Sequence, residues 1–268
     1  MNAIRVGALT VAIAAFGAAA LVTQGQAVPA AGSDATQIVV PRGQPVEIVF
    51  TAVPDDPIVA DLSASIANAI DLAVADHPSI RGFPIRINSV STSCLADNSA
   101  AATQIVANLQ NAAVLGHLCS DWFESPLALY EAAGVVVISG SASRDSLPAL
   151  APTVFNRTIV RDGDGGEEWY EAVSALPPNI AWRAEYEAAF GEQPGILSDT
   201  YFDAASILIK RLQQVSRIVD GNLVIDRAAL ARAVRETAGY RGVTCSVSFD
   251  VAGNRINDAD ALARCAEG

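Results

Sequence analysis

Two short blocks hold the residue types that could do chemistry. Gly116-His117-Leu118-Cys119-Ser120 closes the apolar run Asn111 to Gly116, and Gly140-Ser141-Ala142-Ser143 follows the apolar run Gly134 to Ser139. Each run has the length of a buried strand, so two consecutive strands deliver serines at their C-terminal ends. In open α/β sheets that edge is where small ligands sit. Hydroxyls and backbone N–H groups at strand-to-helix turns donate to an anion, and a helix beginning beyond Ser120 adds a favourable dipole. The chemistry on offer is the holding of a carboxylate. The same serines would equally suit helix caps and turns. Asp121 and Trp122 stand beside this edge, where they could line a pocket.

Other chemistries fit less well. His117 and Ser120 would be a base and a nucleophile, but no acid to orient them is identifiable and no Gly-x-Ser-x-Gly elbow occurs. We therefore expect no enzyme activity and no catalytic residues. Gly163-Asp164-Gly165-Gly166 lacks the spacing and context of a dinucleotide fingerprint. The four cysteines, Cys94, Cys119, Cys245 and Cys265, show no Cys-x-x-Cys spacing, so neither a metal nor another cofactor is expected. They allow three disulfide pairings. Proximity in sequence favours Cys94 with Cys119 and Cys245 with Cys265.

The chain has 268 residues, 51% hydrophobic and 17% charged. That allows a sizeable packed core in one large or two small domains. Residues 1–30 stand apart. Arg5 is their only charge, Val6 to Val22 is apolar apart from one Thr, and small residues precede a cut after Ala27 or Ala30. This is the pattern of a secretory signal peptide, with a retained N-terminal membrane anchor as the alternative. No cysteine near the cut offers a lipid-anchor site. The expected location is periplasmic or extracellular, with no membrane insertion after signal removal. Loss of the leader moves the net charge from −12 to −13, which makes nucleic acid a poor partner.

The positioning elements follow from periodicity. After a flexible lead-in, 31–45, Val46 to Phe50 reads as a strand. Ile58, Leu62, Ile66, Ile70 and Val74 recur at helical spacing behind an Asp56-Pro57 start. Ile85 to Val90 alternates as a strand, and Asp97 or Ser99 would cap a helix running to about Leu109. Trp122 to Ala133 reads as a helix between the two serine-bearing strands. The order β-α-β-α-β-α-β implies a parallel, right-handedly wound sheet. Val154 to Val160 is a further strand or crossover. Beyond it come a short helix, Glu167 to Leu176, stopped by Pro177-Pro178, and helices Trp182 to Phe190 and Tyr201 to Val219. A helix from Arg227 to Ala238 is capped by Asp226, a strand spans Val243 to Asp250, and a helical tail ends near Cys265.

Several blocks occur together in one order. They are Cys94 and Cys119 at their spacing, Gly116 to Ser120, Tyr130 to Val135, Ile138 to Ser143, Phe155-Asn156-Arg157-Thr158 with Arg161-Asp162, Tyr186 to Gly191, Tyr201 to Ala205, and Gly242-Val243-Thr244 with Phe249-Asp250 and Gly253. This set resembles the leucine/isoleucine/valine-binding protein family, type I periplasmic binding proteins that feed ABC importers. The resemblance covers most of residues 45–255. It implies two α/β lobes joined by three crossings that close on a ligand, with Ser120, Ser141, Ala142 and Ser143 at the positions that hold an amino acid's carboxylate and ammonium groups. The sequence departs from the pattern after Arg161, where only Glu167 to Trp182 stands in place of several βαβ units.

The expectation is therefore an α/β protein: a type I periplasmic-binding-protein-like, parallel doubly wound lobe over 46–160, with a reduced, mostly helical second part over 161–268 that returns to the first lobe. Its expected ligand-binding residues are Ser120, Ser141, Ala142, Ser143, Asp121 and Trp122. Its expected function is binding a branched-chain or other small amino acid, or a related amide, for an ABC permease. The alternative is a sensor or interaction module whose exposed lobe face meets another protein or a copy of itself.

Overall fold

The computed structural model describes residues 36–267. The leader and its cut after Ala27 or Ala30 lie outside them. The first elements are β1 (Gln37–Val40), β2 (Val46–Ala52), α1 (Ala60–Asp76), β3 (Ser79–Ile80), β4 (Phe83–Ser91), α2 (Ser99–Ala107) and β5 (Asn111–Leu115). Next come α3 (Glu124–Ala133), β6 (Val136–Ser139), a short α4 (Leu147–Leu150) and β7 (Phe155–Arg157). From β7 to residue 216 the only regular structure is helical: a 3-10 turn at Asp162–Asp164, then α5 (Gly166–Ser174), α6 (Pro177–Phe190) and α7 (Ser198–Val215). β8 (Arg217–Val219), β9 (Asn222–Asp226), α8 (Arg227–Arg235), β10 (Tyr240–Gly242), β11 (Cys245–Val247) and α9 (Ala259–Ala266) follow.

The main sheet has the order β3-β4-β2-β5-β6-β7. Strands β4 to β7 and β2 run parallel, and only the edge strand β3 is antiparallel. β5 and β6 are apolar between Asn111 at the start of one and Ser139 at the end of the other, because both faces of the sheet are covered there. Ile48 and Phe50 of β2, Ala113 and Leu115 of β5, and Val136 and Ile138 of β6 join one core with α1, α7 and α8. The alternate residues Val49, Val114 and Val137 join the other with α2 and α3. Pairing turns outward in both directions from β2, so the topological switch lies between β2 and β5. The crevice at the C-terminal ends of those strands is the expected ligand position in such a sheet.

Most expected elements form, with instructive differences. In the expected lead-in, 37–40 is a strand: β1 pairs with β9, and Ile38 and Val40 are buried. Asp56 does not cap α1. Its carboxylate accepts from Ile58 N at 2.9 Å, the helix starts after Val59, and Ile58 is 87% exposed. Asn98, not Asp97 or Ser99, is the residue before α2, which ends short of Leu109. Pro177-Pro178 begins α6 rather than merely ending α5, since proline suits a first helical turn. The expected long helix to Val219 stops at Val215. Asp220-Gly221, both at positive φ, then turns β8 into β9, a two-residue hairpin signal that the helical reading ran through. Val243 to Asp250 is not one strand: β11 folds back on β10 there. Asp226 does cap α8, accepting from Ala229 N at 2.7 Å.

The residues after 160 pack on the same sheet. α7 lies along α1 with Tyr201, Ala204, Ala205 and Leu208 buried. A small third core joins Ile159, Val160, Trp169, Val173 and Leu176 to Cys245. Both expected disulfides are present, Cys94–Cys119 and Cys245–Cys265.

Candidate functional site

The two serine-bearing loops meet at the C-terminal edge of β5 and β6, as their spacing implies. Ser139, the last residue of β6, is fully buried and acts as their joint. Its hydroxyl donates to the His117 carbonyl at 2.9 Å and accepts from Ala142 N at 2.9 Å and Ser141 N at 3.3 Å. The Ser141 hydroxyl donates to the Leu118 carbonyl at 2.6 Å and lies 3.0 Å from the Tyr201 hydroxyl. Tyr201 also donates to the His117 carbonyl at 3.2 Å. Thr200, beside it on α7, donates to the Gly140 carbonyl at 2.7 Å. The first turn of α7 is thus fastened across both loops. Gly140 permits this: a Cβ there would stand 2.5 Å from the Tyr201 ring.

Of the expected ligand-binding residues, Ser120 and Ser143 keep capacity for a guest. Ser120 accepts only from Arg144 N, at 3.3 Å. Ser143 is half-buried, and neither its hydroxyl nor its N–H is hydrogen-bonded to any described residue. Ala142 is fully buried with its N–H engaged by Ser139, and Ser141 is engaged through both N–H and hydroxyl. Asp121 is exposed and ion-paired with Arg144. Trp122 precedes α3 rather than starting it; it has a φ of 59° and is 51% exposed on the rim of the edge.

His117 is committed elsewhere. It is buried, its ring packs on Phe123 with centroids 4.5 Å apart, and Nε2 lies 2.9 Å from the Tyr130 hydroxyl. Burial pushes its pKa down to about 3, so the imidazole is neutral at ordinary pH. It faces Tyr130 rather than Ser120. Among the described residues no group of three or more His, Cys, Asp or Glu side chains could hold a metal ion, and no helix is long and apolar enough to cross a membrane.

Sequence reasoning missed five contributors: Ser139, Thr200, Tyr201, Arg157 and Asn254. Arg157 is fully buried behind the edge. Its Nη1 donates to the carbonyls of Ala142 at 3.1 Å and Arg144 at 2.9 Å, while Nε and Nη2 donate to Asn254 Oδ1. The available signal was an arginine in a strand at the sheet's C-terminal edge, a position that burial makes costly unless every N–H finds an acceptor.

No protein-family model matches the sequence, and no curated protein matches it. Solved structures do match the fold. The branched-chain amino acid transporter substrate-binding protein LivJ of Streptococcus pneumoniae, in complex with isoleucine, aligns at a TM-score of 0.60 and 13% identity, covering 79% of this chain and 94% of its own. The leucine-binding protein LivK of Thermotoga maritima aligns at 0.63 and 11% identity, covering 79% and 93%. An ABC-transporter solute-binding protein of Rhodopseudomonas palustris, in complex with benzoate, aligns at 0.63 and 13%, covering 79% and 91%. The expected fold class is thereby borne out: the chain has the α/β fold of ABC-transporter substrate-binding proteins, as the family resemblance implied.

Proposed function

We propose that this protein is an exported solute-binding protein that holds a small carboxylate-bearing solute, such as a branched-chain amino acid, and delivers it to an ABC permease without chemistry. The observation that carries the reading is the pair Ser120 and Ser143, with spare donors at the switch-point edge of a parallel sheet. The ligands of the similar proteins, isoleucine and benzoate, share a carboxylate, and hydroxyl and N–H donors suit that group. The chain between β7 and β8 carries only helices, so we read the second lobe as reduced and the site as one wall of a cleft. Less of the ligand is then buried, and affinity falls accordingly. Calorimetric titration with L-leucine, L-isoleucine, L-valine and benzoate tests this. Saturable heat supports the reading, and no heat at millimolar ligand sinks it.

A second reading has its own observation. Ile58, Leu95, Trp122 and Ile196, on loops around the same edge, are 87%, 75%, 51% and 62% exposed. Large apolar side chains exposed on several loops of one edge suit a contact surface, so the edge would suit a protein-interaction or sensor module. Light scattering that shows a monomer at all concentrations, together with solute binding, counts against it.

A further inference from the structure

Three consecutive carbonyls of the loop that carries Ser143 are held from within the protein. Ala142 O and Arg144 O accept from Arg157 Nη1, and Ser143 O accepts from Asp162 N at 3.1 Å. In a planar trans peptide the N–H lies opposite the C=O. Fixing the Ala142 carbonyl on Arg157 therefore turns the N–H of Ser143 away from the protein, toward the open edge. The next N–H, that of Arg144, is turned by the same logic toward Ser120 and donates to its hydroxyl.

Arg157 also sets the charge behind this peptide. Its guanidinium contacts only neutral acceptors: two carbonyls and Asn254 Oδ1. Asp145, Asp162 and Asp250 act on it through space without contacting it, Asp145 most strongly, and Asp250 is joined to it through Asn254, whose Nδ2 donates to Asp250 Oδ2 at 3.0 Å. Asn254 is itself held, its N–H donating to Asp250 Oδ1 at 2.8 Å, while Arg157 N donates to the Gly253 carbonyl at 2.9 Å. With those acids out of contact and Arg161 opposing them, the field of the buried cation is offset only in part.

We propose that Arg157, held by Asn254, is the positioning residue of the solute site: it aims the Ser143 N–H at the ligand and places a positive charge one peptide behind it, so that the site selects an anionic group over its neutral isostere. The proposal rests on the solute-binding reading above and deepens it by naming the residue that positions the site and sets its preference for acid over amide.

Asn254→Asp, made throughout in an Asp250→Asn background, is the sharpest test: it places a carboxylate on Arg157 while the amide moved to position 250 keeps the donor–acceptor contact between the two residues. A purely structural role predicts unchanged or tighter folding and unchanged affinity. The positioning role predicts that Asn254→Asp weakens L-leucine and benzoate about tenfold, as expected on neutralising a charge-assisted contact, while benzamide and L-leucinamide bind as they do to the wild type. Arg157→Lys keeps the charge but not the double carbonyl clamp, so it is expected to weaken acids and amides alike. Titrations run beside thermal unfolding of each variant. Wild-type binding with an unaltered acid-to-amide ratio in a folded Asn254→Asp protein overturns this proposal alone. Absence of any wild-type binding overturns it together with the reading it rests on.

Discussion

The hydroxyls of Ser141 and Tyr201 lie 3.0 Å apart, joining the loop after β6 to the first turn of α7. The contact ties two distant stretches of chain, 60 residues apart, at the candidate site. Tyr201→Phe removes this link but leaves the Ser141 hydroxyl donating to Leu118 O and the His117 carbonyl accepting from Ser139. The expected loss is about 1 kcal/mol of stability, the usual net worth of one such bond. Urea unfolding checks it, and a neutral result would mean that the Tyr201 hydroxyl does not fasten the edge.

Gly140→Ala pushes against the same residue. The new methyl would sit 2.5 Å from the Tyr201 ring and 2.9 Å from Thr200 Oγ1, and α7 must shift to admit it. Overpacking of this kind costs about 1–3 kcal/mol. We expect a lowered unfolding midpoint and weaker solute binding, both readable in one calorimetric series.

Acid lability is expected from His117. Its folded pKa is pushed down to about 3 by burial, against about 6.5 unfolded. The unfolded state binds the extra proton, so this stability is complete above about pH 6.5 and is lost as pH falls toward 3, amounting to about 2 kcal/mol by pH 5. Asp203 acts in the opposite sense. Burial raises its pKa to about 6, so its contribution is full below the unfolded value near 3.9 and fades as pH rises through about 6. Stability measured against pH should therefore fall less steeply on acidification in His117→Gln than in the wild type. Parallel slopes would contradict the assignment.

Each disulfide closes a loop, with sequence separations of 25 and 20 residues. Paired serine substitutions at Cys94 and Cys119, or at Cys245 and Cys265, are each expected to lose about 3 kcal/mol by the chain-entropy estimate. The two pairs should differ in binding. Cys94–Cys119 adjoins Ser120, so its loss should weaken the solute, whereas Cys245–Cys265 anchors α9 and should leave affinity unchanged. Equal effects on affinity would count against the placement of the site.

The parallel sheet was legible because strands covered on both faces carry runs of apolar residues, as in Ala112 to Leu115 and Val136 to Ile138. Ser120 and Ser143 were legible because turn residues follow those strands directly. The hairpin at Asp220-Gly221 was obscured because Ile218 and Val219 continue the apolar character of α7 beyond its end. β1 was obscured because its partner, β9, lies far along the chain and a short strand carries no periodic signal of its own. Tyr201, Arg157 and Asn254 could not be read as site residues. Their roles depend on which atoms the fold brings together across 13 to 97 residues of chain.

Trp122 offers the most direct test of solute arrival at the serine edge. It is the exposed member of the three tryptophans, since Trp169 and Trp182 are each 3% exposed. A carboxylate solute seated at Ser120 and Ser143 should change Trp122 emission saturably, at the concentration where calorimetry shows heat. Ser143→Ala should shift that curve to higher concentration, and Trp122→Phe should abolish the signal while leaving the heat. Saturable heat with no change in Trp122 emission, and unaltered by Ser143→Ala, would place the solute elsewhere and contradict the account.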